Sequence, residues 1–266
     1  MTELKYKLPE VRMTPIPRLA AGGRWRVEAM RSYTSNLFLW FTRGQGRITI
    51  AGSTRGYGAH NAVFIPSGVM HGFEVSTQVF GTAVFIPKDL GYALPALPQH
   101  LRIRDASPQS EVTGILDSLQ RELDGALPER IRAAHHHTGL LNVWLNRQIL
   151  LHSEESTAPD AAHRLTSRFT EMVEAQFQSG MNISQYASAL GVTPTHLSRV
   201  CNQACGRPAS TLLNDRIIFE ARRLLKETKT PIQQVASELG FTSPAYFTRA
   251  FQHHTGQTPS AFRRAR

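Results

Sequence analysis

The spacing of apolar positions changes character along this 266-residue chain, and each change marks a different kind of structure. Up to about residue 105 the apolar runs are short and close together. Residues 36–41 (NLFLWF) form an almost continuous apolar run, as a strand covered on both faces does, and Gly44 and Gly46 follow as a turn. Residues 24–30 alternate, and residues 47–50, 62–66, 73–75 and 78–87 add short segments separated by Gly, Ser and Asn. Many short strands at close spacing predict an antiparallel barrel or jelly roll. Residues 1–23, with Pro9, Pro15 and Pro17, read as an extended arm or first strand.

From there to residue 152 the period is helical. Val112, Ile115, Leu116, Leu119 and Leu123 form one stripe, closed by Gly125 and Pro128. Leu140, Leu141, Val143, Trp144, Leu145, Ile149, Leu150 and Leu151 make a second helix apolar over much of its circumference. Two such helices on a barrel bury one side and leave another for a partner. His135, His136 and His137 suggest a metal tract, but neighbouring helix positions point about 100° apart, so solvated helix surface is expected. Residues 153–161 (SEESTAPDA) are polar and read as a linker.

The last third repeats itself. Residues 183–208 (ISQYASALGVTPTHLSRVCNQACGRP) are echoed by residues 232–259 (IQQVASELGFTSPAYFTRAFQHHTGQTP). Ala187 answers to Ala236, Leu190 to Leu239, Gly191 to Gly240 and Arg199 to Arg249. Each copy predicts helix, tight turn, helix: a glycine permits the left-handed turn, Thr193 or Ser243 caps, and Pro194 or Pro244 opens the second helix. The small Ala187 and Ala236 let two helices cross closely. Residues 209–225 place Leu212, Leu213, Ile217, Ala221 and Leu224 at helical spacing, predicting a rigid spacer about 25 Å long between the copies. Two such heads, roughly 34 Å apart, match successive major grooves of one duplex.

The run GFTSPAYFTRAFQHHTGQTPSAFRR, preceded by a weaker copy ending in CGRP, resembles the DNA-binding domain of AraC/XylS-type transcription regulators. The resemblance implies a dimeric, effector-responsive regulator that contacts RNA polymerase, commonly an activator, here of a catabolic or transport operon. It places Thr195, Ser198 and Arg199, then Pro244, Ala245, Thr248 and Arg249, where the family's base and backbone contacts occur. Asn202 and Gln252 share those helix faces, and His196 is expected nearer the phosphates.

Charge sharpens this picture. A net charge of +10, denser in the repeated region, favours a polyanionic partner. Two cysteines make no disulfide framework, and Cys201, in the slot equivalent to Phe251, reads as a small buried residue. The charged start MTELKYKLPE and the lack of a long apolar run lead to the expectation of a cytoplasmic protein without a membrane partner.

Pro66, Gly68 and His71 form the Pro-x-Gly-x-x-His portion of a cupin's second motif, and the first part of the chain resembles a cupin there. The first cupin motif's histidines and glutamate are missing from RITIAGSTRG, so neither metal, cofactor nor catalytic residue is expected. A barrel without such chemistry still holds a small molecule in its mouth. Tyr33 and Trp40 are candidates to line it, with Arg24, Arg26, His60 and His71 to orient an effector. An Arg fork favours an anionic aromatic acid.

The expected fold is therefore α+β with two domains: an amino-terminal cupin-like antiparallel β-barrel with dimerisation helices, then an all-α domain with two helix-turn-helix units. The expected bounds are 1–105 for the barrel, 106–152 for the dimerisation helices, 153–162 for the linker and 163–266 for the DNA-binding domain, with units near 183–205 and 232–255. The alternative is a cupin-type metalloenzyme fused to a DNA-binding tail.

Overall fold

The computed structural model describes residues 10–152 and 160–265. The first part runs β1 (Arg12–Pro15), α1 (Ile16–Leu19), α2 (Trp25–Glu28), β2 (Asn36–Arg43), β3 (Gly46–Ile50), β4 (Ser53–Tyr57), β5 (Asn61–Ile65), β6 (His71–Phe73), β7 (Phe80–Ile86) and β8 (Gln99–Arg102). These strands form two antiparallel sheets, one ordered β1-β7-β2-β5-β8 and the other β4-β3-β6. Among the described residues no ladder joins the sheets, so they face each other as a sandwich.

β2 shows why its sequence is apolar throughout. Successive strand side chains point to opposite faces. Leu37, Leu39 and Phe41 enter the layer between the sheets, where Ile48, Val63, Phe73 and Val79 meet them. Phe38 and Trp40 point the other way, into a second layer with Val112, Leu116, Leu141 and Trp144 of α3 (Ala106–Asp124) and α4 (Arg130–Leu151). The Trp144 indole sits edge-on to Trp40 at 6.2 Å and donates to the Pro108 carbonyl at 3.0 Å. Each fully buried aromatic on this strand contributes about 1.5–3 kcal/mol.

Three local expectations need correction. Residues 24–30 alternate in sequence, yet Trp25–Glu28 is a helical turn. β4 and β8 carry no strand signal, because β4 is an edge strand with only Tyr57 fully buried and β8 buries only Leu101. His135 is buried rather than solvated, and its carbonyl accepts from the Tyr92 hydroxyl at 2.6 Å.

Residues 153–159 of the expected linker lie outside the described residues. Asp160 then caps α5 (Ala161–Gln176), accepting from the His163 N–H at 2.8 Å. A single 3-10 turn at Phe177–Ser179 leads to α6 (Ile183–Ala189), α7 (Pro194–Cys205), α8 (Ala209–Glu227), α9 (Ile232–Glu238), α10 (Pro244–Thr255) and α11 (Pro259–Arg264). Phe169, Tyr186, Leu197, Leu212, Leu225, Phe247 and Phe251 make one core shared by both repeats.

The sandwich docks on this helical part at three places. The turn at Ala51-Gly52 presses against Thr166, and the Thr54 hydroxyl donates to the Cys205 carbonyl at 3.3 Å. Met30 and Met70 join the helical core. Trp25 lies between Phe219 of α8 and Phe262 of α11, with ring centroids 5.7 and 6.0 Å away.

Candidate nucleic-acid interface

In the first unit, Asn182 and Gln185 form a reciprocal capping box that starts α6. Gly191 turns the chain at φ 72°, and the Val192 N–H donates back to Ala187 at 3.0 Å. Thr193 then caps α7, accepting from the His196 N–H at 3.2 Å, with Pro194 at the first helical position. The second unit repeats these devices. Gly240 turns at φ 76°, the Phe241 N–H donates to Ala236 at 3.0 Å, and Ser243 caps α10 ahead of Pro244. Ala187 and Ala236 are fully buried where the helices cross.

The burial pattern separates the two faces of each second helix. α7 buries Leu197, Val200, Cys201, Ala204 and Cys205; α10 buries Phe247 and Phe251. On the opposite faces, Thr195, Arg199, Asn202, Pro244, Ala245, Arg249 and Gln252 are exposed, and His196, Ser198 and Thr248 are half-buried. Arg199 lies 3.2 Å from the His196 ring through its Nη2, and the Thr248 hydroxyl donates to the Pro244 carbonyl at 2.9 Å. Tyr246, which the apolar spacing did not single out, is also largely exposed beside Ala245 and packs on Phe241 at 5.7 Å. Its only sequence signal is an aromatic lying off the Phe247–Phe251 stripe. Burial pushes the Cys201 thiol up to about 12, which leaves it a packing residue.

The spacer α8 is a 19-residue helix, about 28 Å long. Its register is fixed by charge as well as by packing. Arg216 is buried, paired with Glu174 of α5 at 2.7 Å and Glu220 at 3.1 Å, and its guanidinium lies 3.8 Å from the Phe177 ring centroid. Arg223 continues the series to Glu220 and Glu227. The Glu220 carboxyl is held below its ordinary range: burial raises it, but Arg223 and Arg216 outweigh that.

A helix-turn-helix domain family model matches residues 186–265. The chain is 30% identical over 131 residues to the arabinose operon regulatory protein of Escherichia coli strain K12, covering 48% of this chain and 45% of that protein. The likeness is thus to a helix-turn-helix regulator. The counterpart in Salmonella typhimurium is 29% identical over 146 residues, covering 53% of this chain and 52% of that one. The chain spans about half the length of the curated relatives it matches. ToxT from Vibrio cholerae O395 aligns in structure at a TM-score of 0.45 with 11% identity, over 96% of each chain.

The residues read as effector-binding are not gathered in one place. Trp40 faces the α3–α4 layer, and the His60 ring lies 5.9 Å from it. Arg24 is exposed, 4.0 Å from Glu28, whereas Arg26 lies at the junction of the domains, 3.9 Å from Glu227. His71 is buried beside Tyr33 at 5.2 Å, together with Arg31, which is fully buried and bonded to the Tyr33 hydroxyl at 2.9 Å. Burial, with the Arg31 charge beside it, pushes the His71 imidazole down to about 3.

Proposed function

We propose that this chain is a ligand-responsive, sequence-specific DNA-binding transcription regulator. The observation that carries the reading is the twin presentation of α7 and α10. Each buries its apolar face in one shared core and leaves a polar face free at equivalent positions, with Arg199 and Arg249 matched. A rigid helix of about 28 Å joins them, so one subunit can occupy two major grooves. Thr195, Ser198, Arg199, Asn202, Pro244, Ala245, Thr248, Arg249 and Gln252 are assigned to the groove, and His196 to its edge.

A homodimer through α4 completes the reading. Leu141, Trp144 and Leu145 face the sandwich, while Leu140, Val143, Leu150 and Leu151 are exposed on the same helix. The family resemblance supports an activator that touches RNA polymerase at a catabolic or transport operon. Effector binding acts by favouring one arrangement of the domains over another, which requires a difference in affinity between the two.

Mobility shift with the cognate operator tests the assignment. Arg249→Ala is expected to weaken binding by about 1–3 kcal/mol and to relax preference at one base pair. An equal loss on all sequences would make Arg249 a phosphate contact instead.

A further inference from the structure

We propose that the turn following α5 is a spacing gauge: it fixes the distance and rotation at which α7 and α10 meet DNA, and so which separation of half-sites the chain accepts. This rests on the reading of the chain as a DNA-binding regulator and names positioning residues outside both reading helices. The spacer α8 joins the two units covalently, but the apolar packing around it is non-directional. One added base pair moves the second groove by about 3.4 Å and about 34°, so a gauge has to hold rotation as well as distance.

The turn is held at both ends. At its start Phe177 is buried, and Arg216 of α8 stacks on it, 3.8 Å from the ring centroid. The same guanidinium forks onto Glu174, near the end of α5, through Nε at 2.7 Å and Nη2 at 3.1 Å, and its Nη1 reaches Glu220 at 3.1 Å. A planar fork that is both stacked and bidentate fixes direction, which a single ammonium does not. At the far end Gly180 lies against the turn of the second unit. A Cβ on Gly180 would sit 2.7 Å from the Gly240 carbonyl oxygen, and its φ is 76°, so backbone meets backbone there.

These contacts close a ring. α5 belongs to the first unit, where its Phe169 meets Tyr186 of α6 edge-on at 5.7 Å. From α5 one path runs through the Arg216 fork to the spacer, and the other through Gly180 to Gly240. Gly240 lies just before the Ser243 cap of α10, and the neighbouring Phe241 packs on Phe247 at 5.2 Å. A shift of the turn therefore moves the start of the second reading helix relative to the first. Each head raises the other's local concentration at DNA only while both fit at once, an advantage of about 10²–10⁴-fold that a wrong spacing forfeits.

The test uses a duplex selected by the full chain from a random-sequence pool, and the same duplex with one base pair removed or added midway between its two half-sites. Wild type is expected to bind the altered duplexes about 100-fold more weakly. Glu174→Gln, which breaks the fork, and Gly180→Ala, which pushes the two turns apart, should each flatten that ratio to about tenfold or less. Glu171→Gln, the same change at an exposed α5 position bonded to Ser167, should keep it. A merely structural loss lowers the folded fraction and weakens binding to all three duplexes by one factor. The ratio between spacings is therefore the readout, and it holds for a variant that folds only in part. Equal binding of all three duplexes by wild type, the full ratio in both gauge variants, or its loss in Glu171→Gln would overturn the proposal with the regulator reading intact. If wild type retains no duplex from the pool, that reading falls, and this proposal with it.

Discussion

Gly180, ahead of α6, and Gly240, in the turn of the second unit, bring two stretches of backbone close together. A Cβ on Gly240 would lie 2.4 Å from the Gly180 nitrogen and 2.7 Å from the Gln178 carbonyl, and its φ is 76°. Its counterpart Gly191 has φ 72° but open space around it. Gly240→Ala is therefore expected to cost at least about 2 kcal/mol, and Gly191→Ala only about 1 kcal/mol. Urea midpoints check this; equal losses would contradict the close approach. His71 gives a pH dependence with a definite sign. Its folded imidazole is held near 3, below the ordinary 6.5, so only the unfolded chain takes up the proton as the medium acidifies. Stability then falls with pH below 6.5, by roughly 2 kcal/mol at pH 5 from this group. His71→Gln should lose that much less than wild type between pH 7 and 5, measured by urea unfolding. His100, lowered to about 4 by burial and Arg55, adds loss of the same sign in both proteins.

Elements were legible where one face of a regular structure meets one core. The paired helices could be read because the repeat supplies the same cap, glycine and apolar stripe twice. Likewise β2 could be read because both of its faces are buried. Residues 24–30 misled because alternation over so short a stretch also fits a helical turn. Trp25 and Met30 go to the helical domain while Val27 goes between the sheets, a split that only tertiary contact decides. β4 was silent because four of its five residues are not fully buried. The candidate DNA-reading faces followed from the pattern; the scattered effector set did not, since no spacing reveals which side of a strand faces the helices. α4 carries its own prediction. Leu150→Glu and Val143→Glu, at exposed positions off the Trp144 face, should shift a dimer to monomer in sedimentation without loss of helicity. An unchanged sedimentation coefficient would remove α4 from the interface.

At the scale of the molecule, the docking of the sandwich on the helical domain was invisible in the sequence, which suggested two units joined by a polar linker. Its contacts reach the first repeat through Thr54 at the end of α7, and the spacer α8 and the last helix α11 through Trp25. The candidate reading residues nevertheless stay exposed or half-buried in the docked chain, so docking leaves their faces open. The central claim is that α7 and α10 of one subunit enter neighbouring grooves of one duplex. Hydroxyl-radical footprinting with the full chain on its operator measures this directly. The expected result is two protected patches on one DNA face, about 10 base pairs apart, one weakened by Arg199→Ala and the other by Arg249→Ala. A single patch per subunit, or a loss of both patches with either variant, would contradict it.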